Sequence, residues 1–164
     1  MYNIPWAQFF IRVVSTPAIG AAKRALKLFT ETRSNASTDP TKDAADPDIL
    51  RRIAEANQLI EEAEALLYRN FDVMLEQAVS GQAIPLIDRV KYRYQAGLVI
   101  ENMIKAVDLV FDVAGGRSVF VGAEIQEIWH DIHIARAHVA NNPVGFARNY
   151  GNMMLGGENK DVFI

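Results

Sequence analysis

The chain has 164 residues, 50% of them hydrophobic and 23% charged, which fits one globular domain with a core of its own. Its 17 basic and 20 acidic residues give a net charge of −3, and a general nucleic-acid binder would carry a basic balance instead. It has no cysteine, which excludes disulfide scaffolds, thiolate zinc sites and thiol nucleophiles.

Pro5 suits the first turn of a helix, and the apolar spacing carries that helix to about Thr32. Arg12 interrupts the opening apolar stretch and no basic segment precedes it, so no secretory leader is expected. No apolar run approaches the ~20 residues of a membrane span, and the expected location is cytoplasmic. Ser15, Thr16, Pro17 and Gly20 predict a kink or close packing mid-helix. Residues 33–46, rich in Ser, Thr, Asn, Asp, Ala and Pro, read as a flexible surface loop.

Asp46, Pro47 and Asp48 supply a cap, a first-turn proline and an N-terminal acid for a second helix. Leu50, Ile53, Ile60, Leu67 and Met74 form its apolar stripe as far as Val79, where Ser80 and Gly81 end it. Pro85 opens a third helix that runs to Ala114. Between Ala96 and Ala114 its charges are Glu101, Lys105, Asp108 and Asp112, all on one narrow stripe. The rest of its circumference is apolar, which predicts a central helix packed on several sides. Gly115 and Gly116 stop it. Ala123 to Asn141 reads as a fourth helix on a face of Ile125, Ile128, Trp129, Ile132, Ala135 and Val139. Pro143 opens a short fifth helix to Asn149 or Met153. The predicted fold class is all-α: an up-down bundle of four long helices plus a short C-terminal one.

The histidines, His130, His133 and His138, fall close together. Glu127 and His130 have the Glu-x-x-His spacing of di-iron bundles, but that site needs a second such pair and the chain has no other histidine. At ~100° per residue on one continuous helix, the three imidazoles diverge and cannot meet at one ion, so no metal site is expected. On such a helix His138 shares a stripe with Asp131 and Glu127, at the edge of the apolar face. It is suited to proton transfer, although spacing alone favours a half-buried, hydrogen-bonded histidine. The Gly115-Gly116-Arg117-Ser118 turn brings backbone close to a neighbour and adds a cation that can bind phosphate. It lacks the spacing and the lysine of a P-loop and follows no strand, and a plain helix stop with an exposed arginine accounts for it equally well.

Several of these features occur in a family order: Ala114 to Ser118, then Ile125-Gln126, then Asp131 through His138 and Asn141 to Pro143, then Asn149-Tyr150-Gly151. Together they resemble the C-terminal helical domain of the acyl-CoA dehydrogenase-like flavin monooxygenases. These are the two-component group D hydroxylases of the p-hydroxyphenylacetate hydroxylase and dibenzothiophene monooxygenase type. Ile4-Pro5-Trp6 and Pro17 to Ala22 resemble the first helix of that domain, so the likeness covers nearly the whole chain. The resemblance implies reduced FMN or FAD supplied by a separate flavin reductase. It also implies transfer of one oxygen atom to an aromatic or related small molecule. It gives His138 a catalytic role near flavin and substrate, with Asn141 beside it as a substrate-binding residue. It assigns Gly115, Gly116, Arg117 and Ser118 to the flavin phosphate, across a subunit boundary, and it implies a homotetramer.

Relatives commonly carry Gln-Arg and Arg-Asp near the start of the fourth helix, where this chain has Gln126-Glu127 and His130-Asp131. Two arginines that the resemblance implies are therefore missing, and with them any anion contact they would make. The family's N-terminal helical domain and middle β-domain are expected partners, and the 164 residues read as a fragment, a split-gene product or a truncated remnant. Two other readings stand beside the monooxygenase. One is an acyl-CoA dehydrogenase proper, whose turn usually reads Gly-Gly-x-Gly-aromatic. The other is a non-catalytic helical assembly module.

Overall fold

The computed structural model describes residues 4–36 and 46–164. Over these residues the chain forms helices α1 (Trp6–Ala36), α2 (Pro47–Val79), α3 (Leu86–Phe111), α4 (Glu124–Ala135) and α5 (Pro143–Met154). Single 3₁₀ turns, Gly116–Val119 and Val139–Asn141, lead into α4 and α5. No described helix is long and apolar enough to cross a membrane.

Contacts between the helices fix their directions. Ile4, just before α1, clusters with Met74 and Ala78 at the end of α2, so these two helices run antiparallel. Arg52 at the start of α2 reaches Asp112 just past the end of α3, at 3.4 Å. Gln8 donates to the Arg89 carbonyl (3.1 Å) and Arg33 to that of Val113 (2.6 Å), so α1 and α3 run parallel. The result is an up-down-up arrangement with α4 and α5 against α3, which packs on α1, α2, α4 and α5. The central position predicted for α3 is observed. Its buried residues, including Val90, Tyr92, Ala96, Val99, Ile100, Met103 and Ala106, lie on more than one face. The charged stripe on the same helix is paired outward. Glu101 bonds Arg136, Asp108 accepts from Trp129, and Asp112 faces Arg52.

The second helix has the predicted bounds. Asp46 caps it by accepting from the backbone N–H groups of Asp48 (2.9 Å) and Ile49 (3.4 Å), with Pro47 in the first turn. Three expectations need correction. Residues 33–36 continue α1 instead of starting a loop, and Arg33 ties that last turn to the end of α3. The rest of the expected loop, 37–45, lies outside the described residues. The close packing expected mid-helix comes from the neighbours of Gly20 and not from Gly20 itself, where a Cβ would meet nothing within 4 Å. Ala18, Ile19, Ala22 and Ala25 are the α1 residues in the core.

The third correction matters most for the site. The fourth helix ends at Ala135 rather than Asn141, so the bundle has three long helices and two short ones. Arg136 and Ala137 would tolerate a helix, but Asn141 Nδ2 takes the Ala135 carbonyl at 2.8 Å and His138 adopts an extended backbone (φ −68°, ψ 133°). Truncating the centre of α3 tests the packing. Ile100→Ala should cost about 2–5 kcal/mol in a denaturant titration, whereas Val121→Ala should stay within about 0.5 kcal/mol. Ile100 is 0% exposed and Val121 99% exposed. Equal effects would contradict the described core.

Candidate functional site

The broken fourth helix determines where His138 stands. The residue is exposed and opens the Val139–Asn141 turn, with Nδ1 accepting the Ala140 N–H at 3.1 Å. An acceptor at Nδ1 leaves the ring proton of the neutral imidazole on Nε2. His138 is thus a backbone cap with one nitrogen in use and the other free to meet a ligand. Asn141, three residues on, is fully buried and returns its backbone N–H to the His138 carbonyl at 2.8 Å. Its Oδ1 is buried with no hydrogen-bond partner in the structure. The structure therefore joins His138 and Asn141 in one turn, but not on the helical stripe with Asp131 and Glu127.

The other predicted residues occupy the opposite end of α4. Gly115 has φ 83°, a conformation that suits glycine, and the chain then winds through Gly116–Val119. Ser118 is buried, with its hydroxyl donating to the Gly115 carbonyl at 2.5 Å. Arg117 is exposed and, with Ser118, lines a cavity of about 210 Å³ shared with Leu28, Phe29, Ala114 and Ile125. Glu124, which also lines this cavity, receives two bonds from Arg24 at 2.6 and 2.7 Å and so clasps α4 to α1. These bonds hold the Glu124 carboxyl below the usual carboxylate range. The twelve residues of α4 span ~18 Å, and this separates the glycine turn from His138. One concave site within this chain does not contain both.

The remaining histidines have separate surroundings. His133 donates from Nδ1 to the Trp129 carbonyl (2.7 Å), lies against the Trp129 ring, and presents Nε2 to Asp108 at 3.4 Å. His130 is exposed beside Asp131. Among the described residues no three His, Cys, Asp or Glu side chains are grouped to hold a metal. Sequence reasoning missed Arg93. This buried arginine on α3 donates to the Ala140 carbonyl at 3.2 Å, directly beneath the His138 turn. Arg93 stands with Arg89 and Lys91 in the polar first turns of the helix, so nothing in its sequence neighbourhood singles it out.

These features define an all-helical domain whose candidate site residues sit on its connecting turns, at the two ends of one short helix. Residues 12–143 match the family model "Acyl-CoA dehydrogenase, C-terminal domain", and the chain belongs to that family. It is 25% identical to the p-hydroxyphenylacetate 3-hydroxylase oxygenase component of Acinetobacter baumannii, over 96% of this chain and 38% of that protein. It is 27% identical to the FADH(2)-dependent resorcinol hydroxylase oxygenase component of Rhizobium sp. (strain MTP-10005), over 99% of this chain and 42% of that one. The crystal structure of 3-HSA hydroxylase from Rhodococcus sp. RHA1 superposes with a TM-score of 0.93 at 27% identity, covering 99% of this chain and 43% of that one. The resemblance to oxygenase components of flavin-dependent hydroxylases is thus found across the chain, which spans about two fifths of the length of these relatives.

The Arg24–Glu124 clasp has a defined pH dependence. A carboxyl held low in the folded state stabilises above its unfolded pKa, and that contribution is lost as pH falls through the folded value. Glu124→Gln should therefore melt below the wild type at pH 7, and the difference should shrink as the pH falls below the ordinary carboxylate range. A constant difference across this range would show that the clasp does not set the dependence.

Proposed function

We propose that this chain is the C-terminal domain of the oxygenase component of a flavin-dependent monooxygenase that hydroxylates an aromatic small molecule. The carrying observation is the exposed His138 imidazole, fixed by its Nδ1 bond to Ala140 so that Nε2 faces outward. In this reading His138 is the catalytic residue: it contacts the substrate, orients its hydroxyl and takes or returns its proton at Nε2. Asn141 forms the floor of the same substrate-binding turn. The bound reduced flavin, FMN or FAD from a separate reductase, supplies the oxygen chemistry.

The second surface suits a phosphate. Gly115 and Gly116 leave the backbone bare of side chains, and Arg117 adds an exposed cation. The adjacent cavity of about 210 Å³ is smaller than the ~300–1,000 Å³ of ordinary small-molecule sites, so it admits an edge of a cofactor and not the whole. Because α4 separates the two surfaces, His138 serves one flavin site while Gly115, Gly116, Arg117 and Ser118 serve another. That division suits a homotetramer, with the N-terminal and β-domains of the relatives closing each site. The proposed setting is the cytoplasm, where a reductase supplies the flavin.

The test combines the chain with the neighbouring-gene product, a flavin reductase and a panel of phenols, with hydroxylated products read by mass spectrometry. His138→Ala should lower turnover by about 10²–10⁴-fold. Arg117→Ala should weaken binding of reduced flavin about tenfold or more, the loss of a charge-assisted bond. Mixing the two variants should recover part of the activity, because the lesions fall in different sites. Absence of reduced-flavin binding both alone and in the mixture would overturn the proposal and favour a non-catalytic assembly module. Acyl-CoA oxidation with dye reduction would favour a dehydrogenase.

A further inference from the structure

We infer that Arg93 is the positioning residue of the His138 turn, an assignment whose functional meaning rests on the catalytic reading of His138. Arg93 projects from α3 into three segments that are separate in sequence. Its Nη1 donates to the Ala140 carbonyl at 3.2 Å. Its guanidinium lies 3.5 Å from the centre of the Phe146 ring on α5. Its Nε is 3.6 Å from Asp161 Oδ2 in the C-terminal tail, an ion pair too long for a hydrogen bond. Burial pushes the guanidinium down to about 10, against the upward pull of Asp161, so the group remains a cation at neutral pH.

Ala140 is held on both sides. Its N–H is given to His138 Nδ1 and its carbonyl to Arg93. The Arg93 bond holds the Ala140–Asn141 peptide, one Cα from the N–H that the imidazole accepts, and so fixes where that donor points. Gly97, one helical turn after Arg93, supports the same seat by its small size. A Cβ there would lie 3.1 Å from Phe146 Cδ2 and 3.4 Å from the Ala140 oxygen. The two groups that Arg93 grips are the two that Gly97 leaves room for.

Asp161 reaches Arg93 because the tail is folded back on α5. Asn149 Oδ1 accepts the Lys160 N–H at 2.8 Å, and Asn149 Nδ2 donates to Asn159 Oδ1 at 2.8 Å. The planar guanidinium can stack on Phe146 while bonding in its own plane, which a lysine ammonium cannot do. Methionine at position 93 fills similar space with neither property.

Nitrogen-15 labelled protein provides the test, without flavin. In the wild type, His138 should show its proton on Nε2, and the Ala140 amide should exchange slowly with solvent. In Arg93→Met, Ala140 exchange should rise about tenfold or more and His138 should populate both tautomers, while the Ile100 amide stays protected. Arg93→Lys should show most of the same change. Gly97→Ala, which keeps the cation, should shift the same two signals and provides a second probe should Arg93→Met fail to fold. Unchanged His138 and Ala140 signals in folded Arg93→Met, or in both Arg93→Lys and Gly97→Ala, would overturn the assignment. The catalytic reading fails separately, if His138→Ala leaves hydroxylation intact while the Arg93 variants still release Ala140.

Discussion

Burial of α3 on several faces is the constraint from which the rest of the structure follows. A helix packed on several sides has little solvent face on which to leave polar groups, so most charges of its stripe meet a partner on a neighbouring element, while Lys105 is left exposed. Asp108 meets the Trp129 indole and His133, Glu101 meets Arg136, and Asp112 meets Arg52. Each pair is modest in energy, since most are partly solvated. Their value lies in register: they tell α4 and α2 where along α3 to sit. The apolar cluster around Ile100, Met103 and Val107 supplies the free energy for that arrangement.

The termination of α4 follows from the same constraint. By local propensity the chain from Arg136 to Ala137 could remain helical, and no glycine or proline intervenes before Pro143. Tertiary contacts decide otherwise. Asn141 occupies the Ala135 carbonyl, His138 caps the following turn through Ala140, and Arg93 draws Ala140 onto α3. Three non-local or side-chain bonds replace those of about one further helical turn. They turn His138 from a position on a helical stripe into the first residue of a rigid corner.

This accounts for what the sequence made legible. Asp46 and Pro47 mark the start of α2 because caps and first-turn prolines are local chemistry, written within four residues. The burial of α3 is written in the width of its apolar surface. The corner at His138 is not local, because the residue that pulls it in stands on α3, 47 positions before the Ala140 it holds. His138 was legible as a candidate through family likeness, whereas its actual surroundings depend on Arg93, Phe146 and Asp161. The glycine turn was legible as a turn, since Gly115 adopts a positive φ. Its separation from His138 by α4 emerges only once the helix has been placed.

Among the described residues, buried polar side-chain atoms without hydrogen-bond partners are distributed unevenly through the bundle. They belong to Gln8, Arg12, Gln77, Arg89, Arg93, Asn141 and Asp161, near the end where α1 and α3 begin. Arg12 is the most exacting of these. Burial lowers its guanidinium to about 10, against the upward pull of Tyr92, and the group lies 5.0 Å from the centre of the Phe71 ring. An unpaired buried polar atom costs about 1–3 kcal/mol, and a charged one more. At the other end, around Phe29, Ala106 and Val110, the core is apolar and its polar neighbours are paired. Stability is therefore concentrated at one end of the bundle and unsatisfied polarity at the other. A fold departs from its own packing rules where a second demand acts on the residues, and His138, Asn141 and Arg93 all stand at the end where this chain departs from them.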